Sequence, residues 1–206
     1  MNKPQHIKIC ILGSSGVGKT SLLRRFIQDE FEFHEPPTLG SAFQEKFFNY
    51  QERAYKFQMW DTAGQEKYAP LAHLYYREAE VAFLVYDITN QESFNSLKNW
   101  YAELIEKGPR NLIYCVIGNK SDLDDQIEVE NCTARTFANS IHAMFCLTSA
   151  KENIGITDLF RKLCLHLQNQ NPESSSSFSK SRVKRSSTLY IEEEKHKRKD
   201  KGKCPC

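Results

Sequence analysis

The run Gly13-Ser14-Ser15-Gly16-Val17-Gly18-Lys19-Thr20 has the residue types and spacing to hold a polyphosphate. It fits G-x-x-x-x-G-K-[ST], in which backbone N–H groups wrap the anion and glycine leaves room for close approach. Ser14, Ser15, Gly16, Val17, Gly18, Lys19, Thr20 and Ser21 form the expected phosphate-binding set. Lys19 would reach the β- and γ-phosphates as a point charge, and the Thr20 hydroxyl would ligate Mg²⁺. An apolar run, Ile7 to Leu12, precedes the loop as a strand. Leu22, Leu23, Phe26 and Ile27 follow it on one side of a helix, whose start adds free N–H groups and a positive dipole end.

Two further groups stand just after predicted strands. Asp61-Thr62-Ala63-Gly64-Gln65 follows Trp60. Asp61 can hold Mg²⁺ through water, as a hard carboxylate does. Gly64 can offer its N–H to a γ-phosphate, and Gln65 can orient an attacking water. Asn119-Lys120-Ser121-Asp122 follows Ile117-Gly118. Guanine presents N1–H and a 2-amino group on one edge, and the Asp122 carboxylate can accept from both. Adenine lacks that donor pair, and an unpaired buried acceptor costs about 1–3 kcal/mol, so Asp122 selects guanine. Lys120 can lay its stem along the base, and Asn119 can tie loops together. Ser149-Ala150-Lys151 follows the next strand, where the Ala150 N–H would meet guanine O6.

These loops need a scaffold. Ala42 to Tyr50 and Tyr55 to Trp60 read as strands joined near Gln51-Glu52-Arg53, a linker without the Asn-Gly hairpin signal. Val81–Tyr86, Leu112–Ile117 and Ala143–Leu147 are short continuous apolar runs of the kind found in central parallel strands. Between them lie helical stripes. Phe94, Leu97, Tyr101, Leu104 and Ile105 form one, with Ser93 as the expected cap. Ile156, Leu159, Phe160, Leu163 and Leu167 form another, and 131–140 a weaker one. Alternating βα units predict an α/β fold, a mostly parallel sheet with helices on both faces and ligand loops along one edge.

Bulk properties bound the rest. The 206 residues allow one domain and a tail. No apolar run approaches the roughly 20 residues of a membrane-spanning helix. No secretory signal is expected, and Asn2 in place of glycine excludes N-myristoylation. Residues 1–171 carry 18 Lys/Arg against 21 Asp/Glu, a net of −3, whereas 172–206 carry 10 against 5, a net of +5. A basic tail on an acidic body points to an anionic partner such as a membrane surface. The tail, 171–206, is rich in Ser and charge, and is expected to be disordered. The seven cysteines form no C-x-x-C metal pair. Cys10, Cys115, Cys146 and Cys164 lie in apolar segments as reduced thiols, consistent with a cytosolic chain.

The motifs together resemble the small GTPases of the Ras superfamily, and within it the Rab family, over residues 6 to about 168 and again at the last three. Trp60 to Glu66 and Tyr75-Tyr76-Arg77 have Rab-like wording. Thr38-Leu39-Gly40-Ser41-Ala42-Phe43 and Lys67 to Ala72 resemble the early-endosomal branch. The resemblance implies a P-loop NTPase fold with a six-stranded sheet, a GTPase domain over 1–170 and a hypervariable tail over 171–206. It implies GTP and GDP as nucleotides and Mg²⁺ held by Thr20, Thr38 and Asp61. Thr38 would bind metal and γ-phosphate only in the GTP state, and Phe31 would pack on the guanine edge. Phe43, Trp60 and Tyr75 match the aromatic triad that Rab effectors read. The ending Cys204-Pro205-Cys206 is similar to the C-x-C of Rabs, which implies geranylgeranylation of Cys204 and Cys206. Two lipid chains anchor firmly where one does not.

The implied protein is a monomeric switch for vesicle trafficking, slow without an activating protein. It would cycle between cytosol and the cytoplasmic face of intracellular membranes, those of the early endosome by the branch it resembles. Its implied partners are an exchange factor, an activating protein, effectors, and escort and dissociation-inhibitor proteins. Three features depart from the pattern. Ser15 stands where Ras-like signalling proteins have glycine, Glu78 stands where Rabs usually have glycine, and His34 with Pro36-Pro37 makes the first switch unusual.

Other readings stay open on residues alone. A recruitment module that hydrolyses little GTP is opposed by Gln65. A small-molecule kinase is opposed by Asn119 to Asp122. The basic run Lys195 to Lys199 lacks the interleaved aromatics of a nucleic-acid site, so no nucleic-acid partner is expected.

Overall fold

The computed structural model describes residues 3–64 and 72–170. Gln65, Lys67 to Leu71 and the tail with Cys204 and Cys206 lie outside the described residues.

The strands are β1 Gln5–Leu12, β2 Ser41–Tyr50, β3 Arg53–Thr62, β4 Val81–Asp87, β5 Ile113–Asn119 and β6 Met144–Leu147. The helices are α1 Lys19–Gln28, α2 Ala72–Tyr76, α3 Gln91–Lys107, α4 Asn131–Ser140 and α5 Ile156–Gln170. The expected six-stranded sheet is present, ordered β2-β3-β1-β4-β5-β6. Only the β2–β3 pair is antiparallel. Every parallel strand therefore ends on the same edge, which is where the candidate loops lie.

The period-2 alternation of the strands divides the core in two. On one face Ile7, Ile9, Ile11, Phe83, Val85, Cys115 and Ile117 pack with Leu22, Phe26, Phe160 and Leu163 of α1 and α5. On the other, Cys10, Leu12, Leu84, Tyr86 and Val116 pack with Tyr76, Phe94, Leu97, Ala134 and Ala138 of α2, α3 and α4. Strands buried on both faces have no polar side to show, which explains the unbroken apolar runs. Cys10, Cys115, Cys146 and Cys164 are buried free thiols, as expected. Burial pushes the Cys10 and Cys164 thiols up to about 12.

Three local expectations are refined. The α3 cap is Asn90, whose side chain accepts from the Ser93 N–H at 2.8 Å. Ser93 is buried inside the first turn instead, because the helix begins two residues earlier, at Gln91. The β2–β3 connection is a tight turn, with Tyr50 paired to Arg53 and Gln51 at φ 53° supplying the left-handed residue that Asn-Gly would have supplied. Glu78 is accommodated because the turn after α2 needs no left-handed residue there. It closes through Arg77 N–H to His73 O (3.2 Å) and Ala79 N–H to Tyr76 O (3.0 Å).

Gly118 joins fold to site. A Cβ there would lie 2.6 Å from Tyr86 Oη and 2.8 Å from Leu147 Cδ2, one residue before Asn119. Both neighbours belong to a packed core, so Gly118→Ala is expected to cost about 1–3 kcal/mol by overpacking. A lowered urea midpoint with unchanged slope is the expected readout.

Candidate functional site

The loops after β1, β3, β5 and β6, with the loop from α1 to β2, enclose a cavity of about 450 Å³. At one end it is lined by Gly16, Lys19, Thr20, Thr38 and Gly64, and at the other by Phe31, Lys120, Asp122 and Lys151. Sequence places these groups up to 135 positions apart, Gly16 to Lys151; the parallel sheet brings them to one rim.

The phosphate end is built on the turn from β1 into α1. Lys19 is 6% exposed, and its ammonium donates to Gly13 O at 2.9 Å and Ser14 O at 2.8 Å. Burial pulls its pKa down to about 8, partly offset by Asp61. Gly64 lies against this loop: a Cβ there would sit 2.5 Å from Lys19 Nζ and from Ser15 N. Only glycine allows that approach. Ser15, Gly16 and Ser21 line the cavity, whereas Ser14 turns its hydroxyl to Ser96 Oγ of α3 at 2.8 Å. Ser14 is not among the residues lining the cavity.

The expected metal residues meet. Thr20 Oγ1 donates to Asp61 Oδ2 at 2.6 Å and lies 2.9 Å from Thr38 Oγ1. Thr38 Oγ1 also reaches Asp61 Oδ2, at 3.4 Å. Asp61 is fully buried, and its Oδ1 has no hydrogen-bond partner among the described residues. Desolvation raises its pKa, against the hydrogen bond from Thr20. Two hydroxyls and a buried carboxylate with an open oxygen are hard donors that fit magnesium. That ion takes few protein ligands and fills its shell with phosphate and water. Bound there, it would supply positive charge against the phosphates.

At the base end, Asn119 ties three loops, as its position suggested. Its Nδ2 donates to Val17 O at 2.9 Å, and its Oδ1 accepts from Thr148 Oγ1 at 3.2 Å and the Ala150 N–H at 3.3 Å. In this structure the Ala150 N–H, expected to meet guanine O6, is engaged with Asn119. Asn119 lies between the phosphate loop and the turn after β6, so its carbonyl takes the nearest donors. Gly18 is needed here. It has φ 89°, and a Cβ would run into Asn119 Nδ2. Asp122 Oδ1 accepts from Ser149 Oγ at 2.5 Å. Phe31 is half-buried at the cavity wall, edge-on to Phe33 at 5.2 Å.

Sequence reasoning missed two supports. Lys120 sits at φ 64°, and its ammonium pairs with Asp87 Oδ2 at 2.5 Å. The carboxylate that ends the apolar run of β4 was a signal for this. Arg25 donates through Nε to Ala150 O at 2.9 Å and through Nη2 to Lys151 O at 3.0 Å, clamping α1 to the third base loop. Nothing in its local pattern marked Arg25.

Away from the cavity, Phe43, Trp60 and Tyr75 form one continuous aromatic surface. Centroids lie 5.0 Å apart for Phe43–Trp60 and 5.5 Å for Trp60–Tyr75. Phe43 is 46% exposed; the other two are half-buried.

A model of the Ras family matches residues 8–169. The chain belongs to the Ras family. Within it, this is a Rab small GTPase. It is 47% identical over 156 residues to Ras-related protein Rab-22A of Homo sapiens, covering 76% of this chain and 80% of that protein. It is 43% identical over 171 residues to Ras-related protein Rab-31 of Rattus norvegicus, covering 83% and 88%. The GTPase sides with the Rab-22A and Rab-31 branch, the one its first-switch wording resembles. As a Rab it is a GTP-hydrolysing enzyme of the P-loop fold, and its family binds GTP and GDP with magnesium.

Proposed function

We propose that this Rab is a membrane-trafficking switch of the endocytic route, in which the order of two loops reports the γ-phosphate. The observation that carries the reading is the joining of Thr38, on the first loop, to Thr20 and Asp61, with Gly64, on the second, pressed against Lys19. A γ-phosphate between Lys19 and the Gly64 N–H would hold both loops, and its loss on hydrolysis would release them.

In this reading Lys19 neutralises phosphate charge and Gln65 orients the water, so hydrolysis is positioning and electrostatics. No arginine lines the cavity among the described residues, which supports slow turnover until an activating protein adds one. Asn119, Lys120, Asp122, Ser149, Ala150, Lys151 and Phe31 hold guanine. The Phe43–Trp60–Tyr75 surface is the effector face, exposed apolar area beside a loop that orders with GTP. The domain ends near residue 170. Beyond it the tail carries two geranylgeranyl groups on Cys204 and Cys206, with basic residues adding attraction to anionic lipid. Exchange factor, escort and dissociation-inhibitor proteins complete the cycle between cytosol and endosomal membrane.

Single-turnover hydrolysis of preloaded GTP tests the switch. Wild-type protein turns over slowly. Gln65→Leu binds GTP as before and hydrolyses about 10–100-fold more slowly, the usual cost of losing a positioned water. Equal rates in the two proteins would remove Gln65 from the mechanism.

A further inference from the structure

Four buried side-chain polar atoms among the described residues have no hydrogen-bond partner: Glu35 Oε2, Tyr55 Oη, Asp61 Oδ1 and Tyr86 Oη. The tyrosines are neutral hydroxyls in the core. The other two are carboxylate oxygens; Glu35 lines the cavity, and Asp61 bonds Thr20 and Thr38, which line it too. Asp61 has its explanation above; Glu35 has none yet.

Glu35 is held, not loose. Its Oε1 accepts from Arg24 Nη2 at 2.9 Å, and Arg24 also reaches Glu32 Oε2 at 3.3 Å. The Glu35 side chain is 17% exposed. An ordinary surface ion pair leaves its second oxygen in water, but here that oxygen is desolvated. Burying a charged oxygen unpaired is costly, so the geometry calls for a positive partner. Glu35 lines the cavity with Thr20 and Thr38, the two hydroxyls that bond Asp61. Pro36 and Pro37 separate it from Thr38, and their fixed φ sets its reach relative to that residue.

We propose that Glu35 is a further carboxylate for the magnesium ion, tethered by Arg24, with Oε2 accepting from the ion's hydration shell. The inference rests on the proposed phosphate and metal roles of the cavity. It carries a consequence for nucleotide retention. With magnesium present, Glu35 strengthens the hold on the metal. With magnesium removed, Asp61 and Glu35, the latter only partly neutralised by Arg24, add negative charge beside the phosphates, and the nucleotide leaves faster. Glu35 thus makes retention more steeply dependent on metal.

The test loads the full chain with a fluorescent non-hydrolysable GTP analogue. It measures release in excess Mg²⁺, release in excess chelator, and the Mg²⁺ midpoint of retention. Glu35→Gln is expected to raise the midpoint by about tenfold, the scale of losing an outer-shell partner, and to lower the chelator-to-metal ratio of release rates. Arg24→Gln removes the tether but keeps the carboxylate, so its midpoint and ratio shift in the same direction as those of Glu35→Gln and by less. An unchanged midpoint and ratio in Glu35→Gln overturns the proposal. So does an Arg24→Gln variant that reproduces Glu35→Gln, because Glu35 would then serve only as an ion-pair partner. A wild-type protein that retains the analogue independently of metal overturns the underlying site reading as well.

Discussion

Asp122→Asn is expected to lose its preference for GTP and to gain one for xanthosine triphosphate. The proposed role of Asp122 is to accept two hydrogen bonds from guanine. Hydrogen bonds to charged groups contribute about 1.5–3 kcal/mol each, so losing both weakens GTP binding by about 10²–10⁴-fold. The asparagine also turns an amide donor toward the donors of guanine. Xanthine has a carbonyl oxygen where guanine has its amino group, and that oxygen accepts from the new amide. The scaffold survives the exchange: an asparagine carbonyl can still accept from Ser149 Oγ, the present partner of Asp122 Oδ1. Competition titrations of GTP against the xanthine nucleotide read the result. Unchanged GTP affinity would take Asp122 out of base selection, and with it the guanine assignment of this end of the cavity.

Lys19→Ala has the second large effect, at the other end. The ammonium is buried, and in this structure its protein partners are two backbone carbonyls, Gly13 O and Ser14 O. The alanine variant leaves those carbonyls unpaired and presents the triphosphate with no side-chain cation from the loop. Truncating one partner of a buried charge pair costs about 2–5 kcal/mol or more, so GTP affinity should fall by about 30-fold to several thousand-fold. GDP should lose less than GTP, because Lys19 is expected to touch the γ-phosphate as well as the β. Equilibrium binding of both nucleotides, with circular dichroism to confirm the fold, decides it. An equal loss for the two would restrict Lys19 to the β-phosphate.

The two ends of the site were legible to different depths. Motif spacing was enough to name Lys19, Thr20, Asp61, Asn119 and Asp122, because each requirement is local. A glycine loop must sit between a strand and a helix, and a carboxylate must follow a strand. The sheet was legible for a similar reason. Runs such as Val81–Tyr86 are apolar throughout because both faces are covered. Helix boundaries slipped where a side chain had two roles. Ser93 has the chemistry of a cap, yet its hydroxyl accepts from the Asp87 N–H and donates to Asn90 O, while Asn90 does the capping.

What the chain encoded unaided was the residue set for the proposed chemistry, a glycine loop, oxygen donors and a carboxylate each placed after a strand, and the alternating pattern that builds a parallel sheet. What tertiary structure alone decided was who holds those groups in place. Arg25 reaches Ala150 across 125 positions of sequence. Asn119 occupies the space that Gly18 leaves open, Lys120 pairs with the end of β4, and Arg24 pairs with Glu35 across the mouth of the first loop. Such supports leave no local signature. They come from loops that meet only because parallel strands end on one edge, and periodicity along a chain carries no record of which loop stands beside which.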